Sequence, residues 1–388
     1  MPFINARELR KMWDDRGYGP DRVQRELRES LRDGRAGKPG CLKFEDFSIR
    51  DMFEELIPGG RDIIRAWQRG SDALLEAANA SDTSAFSMLV GQLAFDRLLA
   101  GYESPALIWS QLVSTMPTTK LYGEKIPGVA NLGDVGQEVQ EGKPYPSVTS
   151  SANYVETGRL VKRGFTVPIT RELTIADNTG LVIKTLDKSG LALGINLEKR
   201  VVDLAIGVTN NYNRNGTATN TYLTAGAYIN AKASNDLVDW RDIEEAELLF
   251  EQLNDPDTGE PIVIGGRTLL VPKILEMTAK RIVTATTVEH VDNQAATPTY
   301  RTMGSNPIPS GINVLSSPYV GRRSNDLNRW WYGDFKQAFG RLTAWEIERD
   351  SRGRESPLNF SNDIVMEFKG SVMDHVQVLE PRAVTQHS

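Results

Sequence analysis

The fold of this chain is decided by residues 177–208, which read DNTGLVIKTLDKSGLALGINLEKRVVDLAIGV. Asp177 and Asn178 are favourable helix caps, and the apolar residues that follow recur at steps of three and four. This stripe comprises Leu186, Gly190, Leu193, Leu197, Val201, Leu204 and Val208. Because this spacing places the residues on one helical face, we predict one helix of about 28 residues, roughly 40 Å long. Gly190 and Gly194 weaken it but permit close approach by another backbone.

Residues 116–176, which precede this helix, have a different character. Large apolar side chains are sparse between Tyr122 and Ala152, whereas glycine and proline are frequent. Residues 154–170, YVETGRLVKRGFTVPIT, are rich in β-branched and aromatic residues and predict one or two strands. Pro168 suits a sheet edge because it has no N–H to donate. Since an isolated hairpin is marginally stable in water, we expect this arm to lie on its own domain or on a neighbouring subunit.

After the long helix, helical and strand patterns alternate. A second helix is predicted to begin at Asp239, which stands at capping-box spacing from Asp242. Its inward stripe consists of Ile243, Ala246, Phe250 and Leu253. Strands are predicted at 261–264 and 267–271, followed by a helix with Pro272 at its first position that ends near Val283.

The last hundred residues contain fewer helical signals. Residues 288–320 are rich in Pro, Asn and Ser and are predicted to form a loop. The aromatic run at 330–335, WWYGDF, is interpreted as core packing or a subunit contact, with base stacking as the alternative. Strands are predicted at 364–368 and 375–379.

The composition is that of an ordinary globular chain. Forty-five basic and 51 acidic residues give a net charge of -6, so any contact with DNA must be local. The single cysteine, Cys41, can form neither an intramolecular disulfide nor a thiolate metal cluster. The first residues lack the pattern of a secretory signal, and no long apolar run occurs, so we expect neither export nor a membrane span.

A charged helical pattern with two faces occupies residues 20–35. Val23, Leu27 and Leu31 repeat at steps of four on the apolar face. The other face carries Arg22, Arg25, Arg28, Arg32 and Arg35. This arginine-rich face is either solvated and paired with acidic neighbours, which is the simpler interpretation, or turned towards phosphates.

No catalytic constellation is visible in the sequence. His290, His375 and His387 are isolated, and His387 lies in a tail that we expect to fray. Residues 136–143 fail the spacing of a phosphate loop, and adjacent carboxylates such as those at 244–245 point apart on a helix. We therefore predict no catalytic residue, no cofactor and no metal site, although an enzyme whose site is not apparent from its sequence stays an alternative.

Several stretches carry a resemblance to a known family. An extended loop and its return strand are what the family has where this chain reads GQEVQEGKPYP at 136–146 and YVETGRLVKRGFTVPITREL at 154–173. The stretch LGINLEKRVVDLAIG at 193–207 looks like the spine helix of the family. The family's axial domain has a helix, a strand and a helix that resemble DLVDWRDIEEAELLFEQL at 236–253 followed by GRTLLVPKILEMTAKRI at 266–282. Its late strands resemble WYGDF at 331–335 and NDIVMEFKGSVMDHVQVLEPRAV at 362–384. Over about 116 to 388, the chain thus resembles the major capsid proteins of tailed bacteriophages, which have the Hong Kong 97-like fold.

The resemblance implies an α+β fold and a division of the chain. The regions are an N-terminal helical arm at 1–115, an extended loop at 116–176, a peripheral domain with the spine helix at 177–232, an axial α/β domain at 233–335, and strands that return to the peripheral domain at 336–388. It also implies a structural protein, not an enzyme, that assembles with itself through pentamers and hexamers into an icosahedral shell around double-stranded DNA. An encapsulin-like shell around cargo enzymes is the alternative.

The resemblance further implies surfaces, partners and a location. The subunit contact on the extended loop would involve Lys125, Gly133, Gly136, Glu138, Lys143 and Tyr145, and the DNA-facing surface Arg22, Arg25, Arg28, Arg32 and Arg35. Some relatives cross-link through a loop lysine, for which Lys125 and Lys143 are candidates. Cement or decoration, scaffolding and portal proteins are further expected partners, and no membrane is. The protein would reside in the virion, and in the host cytoplasm during assembly.

Overall fold

The computed structural model describes residues 25–26, 29–30, 33–34, 38, 61–62, 65, 94–127, 139, 153–170, 181–226, 228–254, 259, 261, 266–292, 300–308, 311–352 and 364–388. These residues form a mixed α+β structure, as predicted. Two compact units are present. The first is drawn from Met1–Pro105, Lys162–Asn196 and Trp345–Val372, and the second from Ala106–Val161, Leu197–Ala344 and Met373–Ser388.

The elements are numbered in chain order. The helices are α1 (Trp109–Leu112), α2 (Leu181–Ala205), α3 (Trp240–Glu251), α4 (Glu276–Thr284), α5 (Pro318–Ser324) and α6 (Phe335–Ala338), and a further helical segment covers 94–102. The first strands are β1 (Ser114–Pro117), β2 (Lys125–Pro127), β3 (Tyr154–Glu156), β4 (Val161–Thr170), β5 (Tyr212–Arg214), β6 (Thr217–Thr219) and β7 (Ala231–Lys232). The later strands are β8 (Thr268–Pro272), β9 (Thr287–Asp292), β10 (Tyr300–Ser305), β11 (Asn313–Ser317), β12 (Trp330–Gly333), β13 (Phe339–Arg352), β14 (Ile364–Val378) and β15 (Val384–His387).

The long helix predicted from the apolar stripe is α2, with 25 residues. Five stripe residues are buried, namely Leu186, Gly190, Leu197, Val201 and Leu204. The helix ends before Gly207, whose φ of +78° is a conformation that glycine adopts without strain, and Val208 beyond it is exposed. The predicted close approach at Gly190 is confirmed, because a Cβ there would clash with the carbonyl oxygen of Leu98 in the same unit.

The described strands form four sheets. Their orders are β1-β13-β14-β4, β10-β9, β11-β8-β12-β15-β7 and β2-β3-β5-β6. β4 ends the first of these orders, so the predicted edge position of Pro168 is confirmed. The five-stranded sheet is mixed: β11 pairs parallel to β8, whereas β12 pairs antiparallel to both β8 and β15.

The core of the second unit joins this five-stranded sheet to helices α3 and α4. It includes the predicted stripe of α3, namely Ile243, Ala246, Phe250 and Leu253, together with Leu269, Val271, Ala279, Ile282, Ile312, Trp330 and Tyr332. The predicted start of α3 is also confirmed. Asp239 Oδ1 accepts from the Arg241 N–H at 2.8 Å, and Asp242 Oδ2 accepts from the Asp239 N–H at 2.8 Å. Asp242 thus closes the capping box in place of the usual Glu or Gln.

The aromatic run at 330–335 belongs to the core, which confirms the prediction of core packing. Five aromatic side chains are at most 1% exposed: Trp330, Trp331, Tyr332, Phe335 and Phe339. Base stacking needs an accessible ring face, so this cluster does not supply it.

Three predictions about local structure were wrong. Residues 288–320 are not a loop, since β9 and β10 pair antiparallel there and β11 and α5 follow. Pro272 ends β8, and the next helix begins at Glu276. The strands predicted at 364–368 and 375–379 are one strand, β14. Hydrogen bonds between strands, which composition does not register, override the local signals in these places. Of the strand predicted at 261–264, Pro261 alone is described, and it bridges Asn254.

His387 also differs from its prediction. It belongs to β15 inside the five-stranded sheet, is fully buried, and stacks on Trp330 with ring centroids 4.3 Å apart. Fraying was predicted because the sequence around His387 lacks a strong apolar run. The neighbouring strands β12 and β7 bury this residue instead.

Candidate assembly interface

The base of the predicted arm is a pair of short antiparallel strands. Lys125 pairs with Glu156, and Pro127 pairs with Tyr154, so the residues on either side of the predicted arm are neighbours in this sheet. β2 lies at the end of the sheet order β2-β3-β5-β6, where its outer side is unpaired within that sheet. The two ends of the arm are therefore held side by side at a sheet edge.

Thr157 ties the two ends together. Its backbone N–H donates to the carbonyl oxygen of Glu124 at 2.9 Å, and its hydroxyl accepts from the Glu124 N–H at 2.8 Å. Gly123, next along the chain, has φ +98°, and a Cβ there would lie 2.5 Å from the carbonyl oxygen of Thr157. Glycine alone tolerates both the conformation and the close approach, so Gly123 allows the segment before β2 to lie against Thr157.

Lys125 lies at this base among charged and aromatic neighbours. Its Nζ is 3.9 Å from the centroid of the Tyr154 ring and 3.6 Å from Oε1 of Glu156, and 61% of its side chain is exposed. Interaction with Tyr154, and then with Glu156, raises the pKa of Lys125 above its ordinary value. These neighbours favour the charged form of the Lys125 side chain, which suits an ionic contact.

The other predicted interface residues are largely outside the described part of the chain. This applies to the arm residues Gly133, Gly136, Glu138, Lys143 and Tyr145, and to Arg22, Arg28, Arg32 and Arg35 of the arginine-rich face. Arg25 is described, has helical backbone and is exposed. Both surfaces, with Lys125 and Arg25 included, stay predictions.

A buried ionic cluster in the second unit was missed from the sequence. Asp374 on β14 is fully buried and accepts from both guanidinium nitrogens of Arg200 on α2, at 2.9 and 3.1 Å. It also accepts from Nε of Arg341 on β13 at 3.1 Å, and Arg341 is itself 1% exposed. Burial alone would raise the pKa of Asp374, but the two arginines outweigh it and hold this pKa below its ordinary value. The cluster anchors the end of the long helix to two strands.

A second buried carboxylate anchors the segment that leads to the arm. Glu198 on α2 is fully buried, and its Oε2 accepts from the backbone N–H of Ile108 at 3.0 Å and of Trp109 at 2.8 Å. These N–H groups belong to the start of α1, which has no side-chain cap of its own. Burial is the main influence on Glu198 and raises its pKa. The sequence did not single out Glu198, because a helical pattern alone does not reveal a distant N–H partner.

Neither the pattern expected of a metal site nor that of a membrane-spanning helix is found among the described residues. Among them, no group of three or more His, Cys, Asp or Glu side chains is arranged to hold a metal ion. No helix in that part of the chain is both long and apolar enough to cross a bilayer.

Known proteins that resemble this chain include phage capsid proteins. It matches the family model described as phage capsid protein over residues 154–386. No curated protein gave a match. Among solved structures, the capsid of the cyanophage P-SCSP1u is 15% identical with a TM-score of 0.43, covering 73% of this chain and 88% of that one. The capsid of the cyanophage Pam1 is 13% identical (TM-score 0.42; 74% and 91% covered), and a structure from the Mycobacterium phage Che8 is 12% identical (TM-score 0.41; 73% and 91% covered).

Proposed function

This chain belongs to the phage capsid protein family, and we propose that it is the major capsid protein, which assembles through pentamers and hexamers into an icosahedral shell around double-stranded DNA. The observation that carries the proposal is the family match from residue 154 to residue 386, which extends from the return strand of the arm to the last strand of the five-stranded sheet. The predicted family is thereby confirmed. The protein is a component of the virion, and we propose the host cytoplasm as the place of assembly.

The base of the arm supports a mechanism based on assembly. Residues 128–152 are poor in large apolar side chains, yet both ends of this segment are fixed by the pairing of β2 with β3. An arm of this kind gains most by lying on a neighbouring copy. A contact that uses different surfaces on the two copies repeats from one copy to the next, and it forms a ring when the rotation between copies closes.

The proposal includes the contents of the shell and the other partners. We assign the protein a structural role without catalysis and propose DNA as its packaged content, with the arginine-rich face at residues 22–35 as a candidate inner surface. Portal, scaffolding and cement proteins belong to the same proposal. An encapsulin-like shell is not favoured, because the family that matches is one of phage capsid proteins.

The direct test is to purify the full chain and examine it by electron microscopy and sedimentation. We expect closed shells that sediment as megadalton particles and, when isolated from infected cells, contain nuclease-resistant DNA. A small oligomer at every protein concentration would contradict the proposal, and shells that contain cargo enzymes without DNA would favour the encapsulin-like alternative.

The arm can be tested separately by deleting residues 128–147. We expect soluble, folded protein without particles, because the latch between copies is removed while the strands at its base remain. The matched control replaces the same residues with a Gly/Ser linker of equal length, which should also fail to assemble. Normal shells from either variant would show that the arm is not the latch.

A further inference from the structure

Helices α3 and α4 present outer surfaces of opposite charge. Both helices pack on the same face of the five-stranded sheet through the core described above. α4 packs on β8 and β11, whereas α3 contacts β15, so the two helices occupy different halves of that sheet. The second unit therefore has two distinct outer surfaces, one on each helix, on the same face of the five-stranded sheet.

The outer surface of α4 is apolar and basic. Met277 is 79% exposed and Ile274, just before the helix, is 63% exposed. Lys273, Lys280 and Arg281 are exposed around them. The Glu276 carboxylate forms ion pairs with Lys273 and with Lys280, whose Nζ lies 2.6 Å from Oε1. These two lysines lower the pKa of Glu276 to about 2. Three cations around one carboxylate leave this surface with a net charge of about +2.

The outer surface of α3 is an acidic cleft of about 320 Å³. Glu244, Glu247 and Glu251 line it together with Leu248, which is 50% exposed, and Phe250. Glu247 is directed inward, where it accepts from the Tyr332 hydroxyl at 2.5 Å and pairs with Arg267 Nε at 3.2 Å. Three carboxylates and one guanidinium give the cleft a net charge of about -2, opposite to that of the α4 surface.

We infer that the α4 surface of one copy docks into the α3 cleft of a second copy, with the Met277 side chain inserted against Leu248 and the flanking cations facing Glu244 and Glu251. The inference rests on the proposed function and names a contact surface for it. The flexible Met side chain suits an irregular apolar cleft, and large exposed apolar residues on a charged surface are typical of protein contacts.

Charge and geometry identify a second copy as the occupant. DNA would be attracted to the lysines but repelled by the carboxylates of the cleft, so it cannot occupy both surfaces. The chain cannot fill its own cleft, because the shared core fixes α4 on the other half of the sheet and the described lining of the cleft contains no α4 residue. The contact uses different surfaces on the two copies, so it is head-to-tail, the type of contact that forms rings when the rotation between copies closes.

Cross-linking tests which surfaces meet. Met277→Cys and Leu248→Cys would be introduced together into the full chain carrying Cys41→Ser, and assembled particles treated with a short bis-maleimide. We expect a ladder up to covalent pentamers and hexamers on denaturing gels, and no ladder from either single variant. Met303, which is 74% exposed on β10, provides the matched control: Met303→Cys with Leu248→Cys should give no ladder. Particles without a Met277-dependent ladder would overturn this inference while leaving the proposed function intact.

Charge substitution tests why the surfaces meet. Met277→Glu places a carboxylate against the acidic cleft, and we expect assembly to weaken at least about tenfold, whereas Met277→Lys should assemble much better than Met277→Glu. Glu244→Lys and Glu251→Lys in the otherwise unchanged chain should also weaken assembly, because the two new lysines would face the cations of α4. Equal effects of Met277→Glu and Met277→Lys, with both proteins folded by circular dichroism, would overturn the inference. Failure of the wild-type chain to form particles would instead count against the proposed function.

Discussion

Acid should destabilise the second unit through His387. Its ring is fully buried, and Asn235 Nδ2 lies 3.1 Å from Nδ1 while Thr385 Oγ1 lies 3.0 Å from Nε2. An amide NH₂ can only donate, so Nδ1 accepts and Nε2 carries the proton of a neutral ring. A second proton would have to be added at Nδ1, against the Asn235 donor. Burial, and then the charge of Lys232, lowers the pKa of His387 from 6.5 to about 3.

The magnitude follows from linkage. Because the folded-state pKa is depressed, the folded chain keeps the neutral ring while the unfolded chain gains a proton below pH 6.5. Stability is therefore complete above pH 6.5 and falls as the pH is lowered towards 3. At pH 4.5, two units below the ordinary value, the loss relative to pH 7 is about 2.7 kcal/mol, at about 1.4 kcal/mol per unit.

The assay is urea unfolding of the unassembled full chain at pH 7 and pH 4.5, followed by tryptophan fluorescence. His387→Gln is the comparison, because it removes the titrating group. Glu198, whose pKa is raised, contributes to the pH dependence with the opposite sign, but this contribution is common to both proteins and cancels in the difference. We expect the wild type to lose about 2.7 kcal/mol more than His387→Gln over this interval.

Parallel pH dependence of the two proteins would refute the reasoning. If His387→Gln does not fold, an NMR titration of histidine-labelled wild type gives the answer directly. The His387 ring should remain neutral down to pH 4.5, and a titration midpoint near 6.5 would contradict the structure.

Three further predictions concern single residues of the second unit, and urea unfolding of the full chain measures each of them. Asp374→Asn should cost about 3–5 kcal/mol, because it removes the carboxylate from the buried Arg341; a loss under about 1 kcal/mol would contradict this. Gly123→Ala should cost about 1–3 kcal/mol, clearly more than Gly226→Ala, which shares the positive φ (+109°) but has no described atom within 4 Å of an added Cβ. Glu276→Gln should cost under about 1 kcal/mol despite its two short ion pairs, since both lysines are more than half exposed, and a larger loss would show that the pairs act as a buried network.

Helices were the most predictable elements, because their signals are local. The stripe of α2 and the cap and stripe of α3 depend on residues three or four apart in sequence, and the structure places them as expected. The base of the arm could also be anticipated, since sparse apolar residues and β-branched runs adjoin in the sequence.

The strands after residue 287 were less predictable. The pairing of β9 with β10, and the insertion of β15 between β12 and β7, depend on partners far away in the sequence. The buried charges were missed for the same reason. Asp374 becomes a structural residue only when Arg200, 174 positions earlier, is brought to it.

The sequence by itself determined the class of fold and the long helix, because both depend on residue spacing and on the order of elements along the chain, and its resemblance to known capsid proteins indicated the family. Tertiary structure decided the fate of the charged and aromatic side chains: which carboxylates are buried, that His387 lies inside a sheet, and that Met277 and the acidic cleft occupy different halves of one layer. The physical reason is that burial and electrostatic complementarity are properties of neighbours in space, and spacing along the chain specifies neighbours only within a helix or a strand.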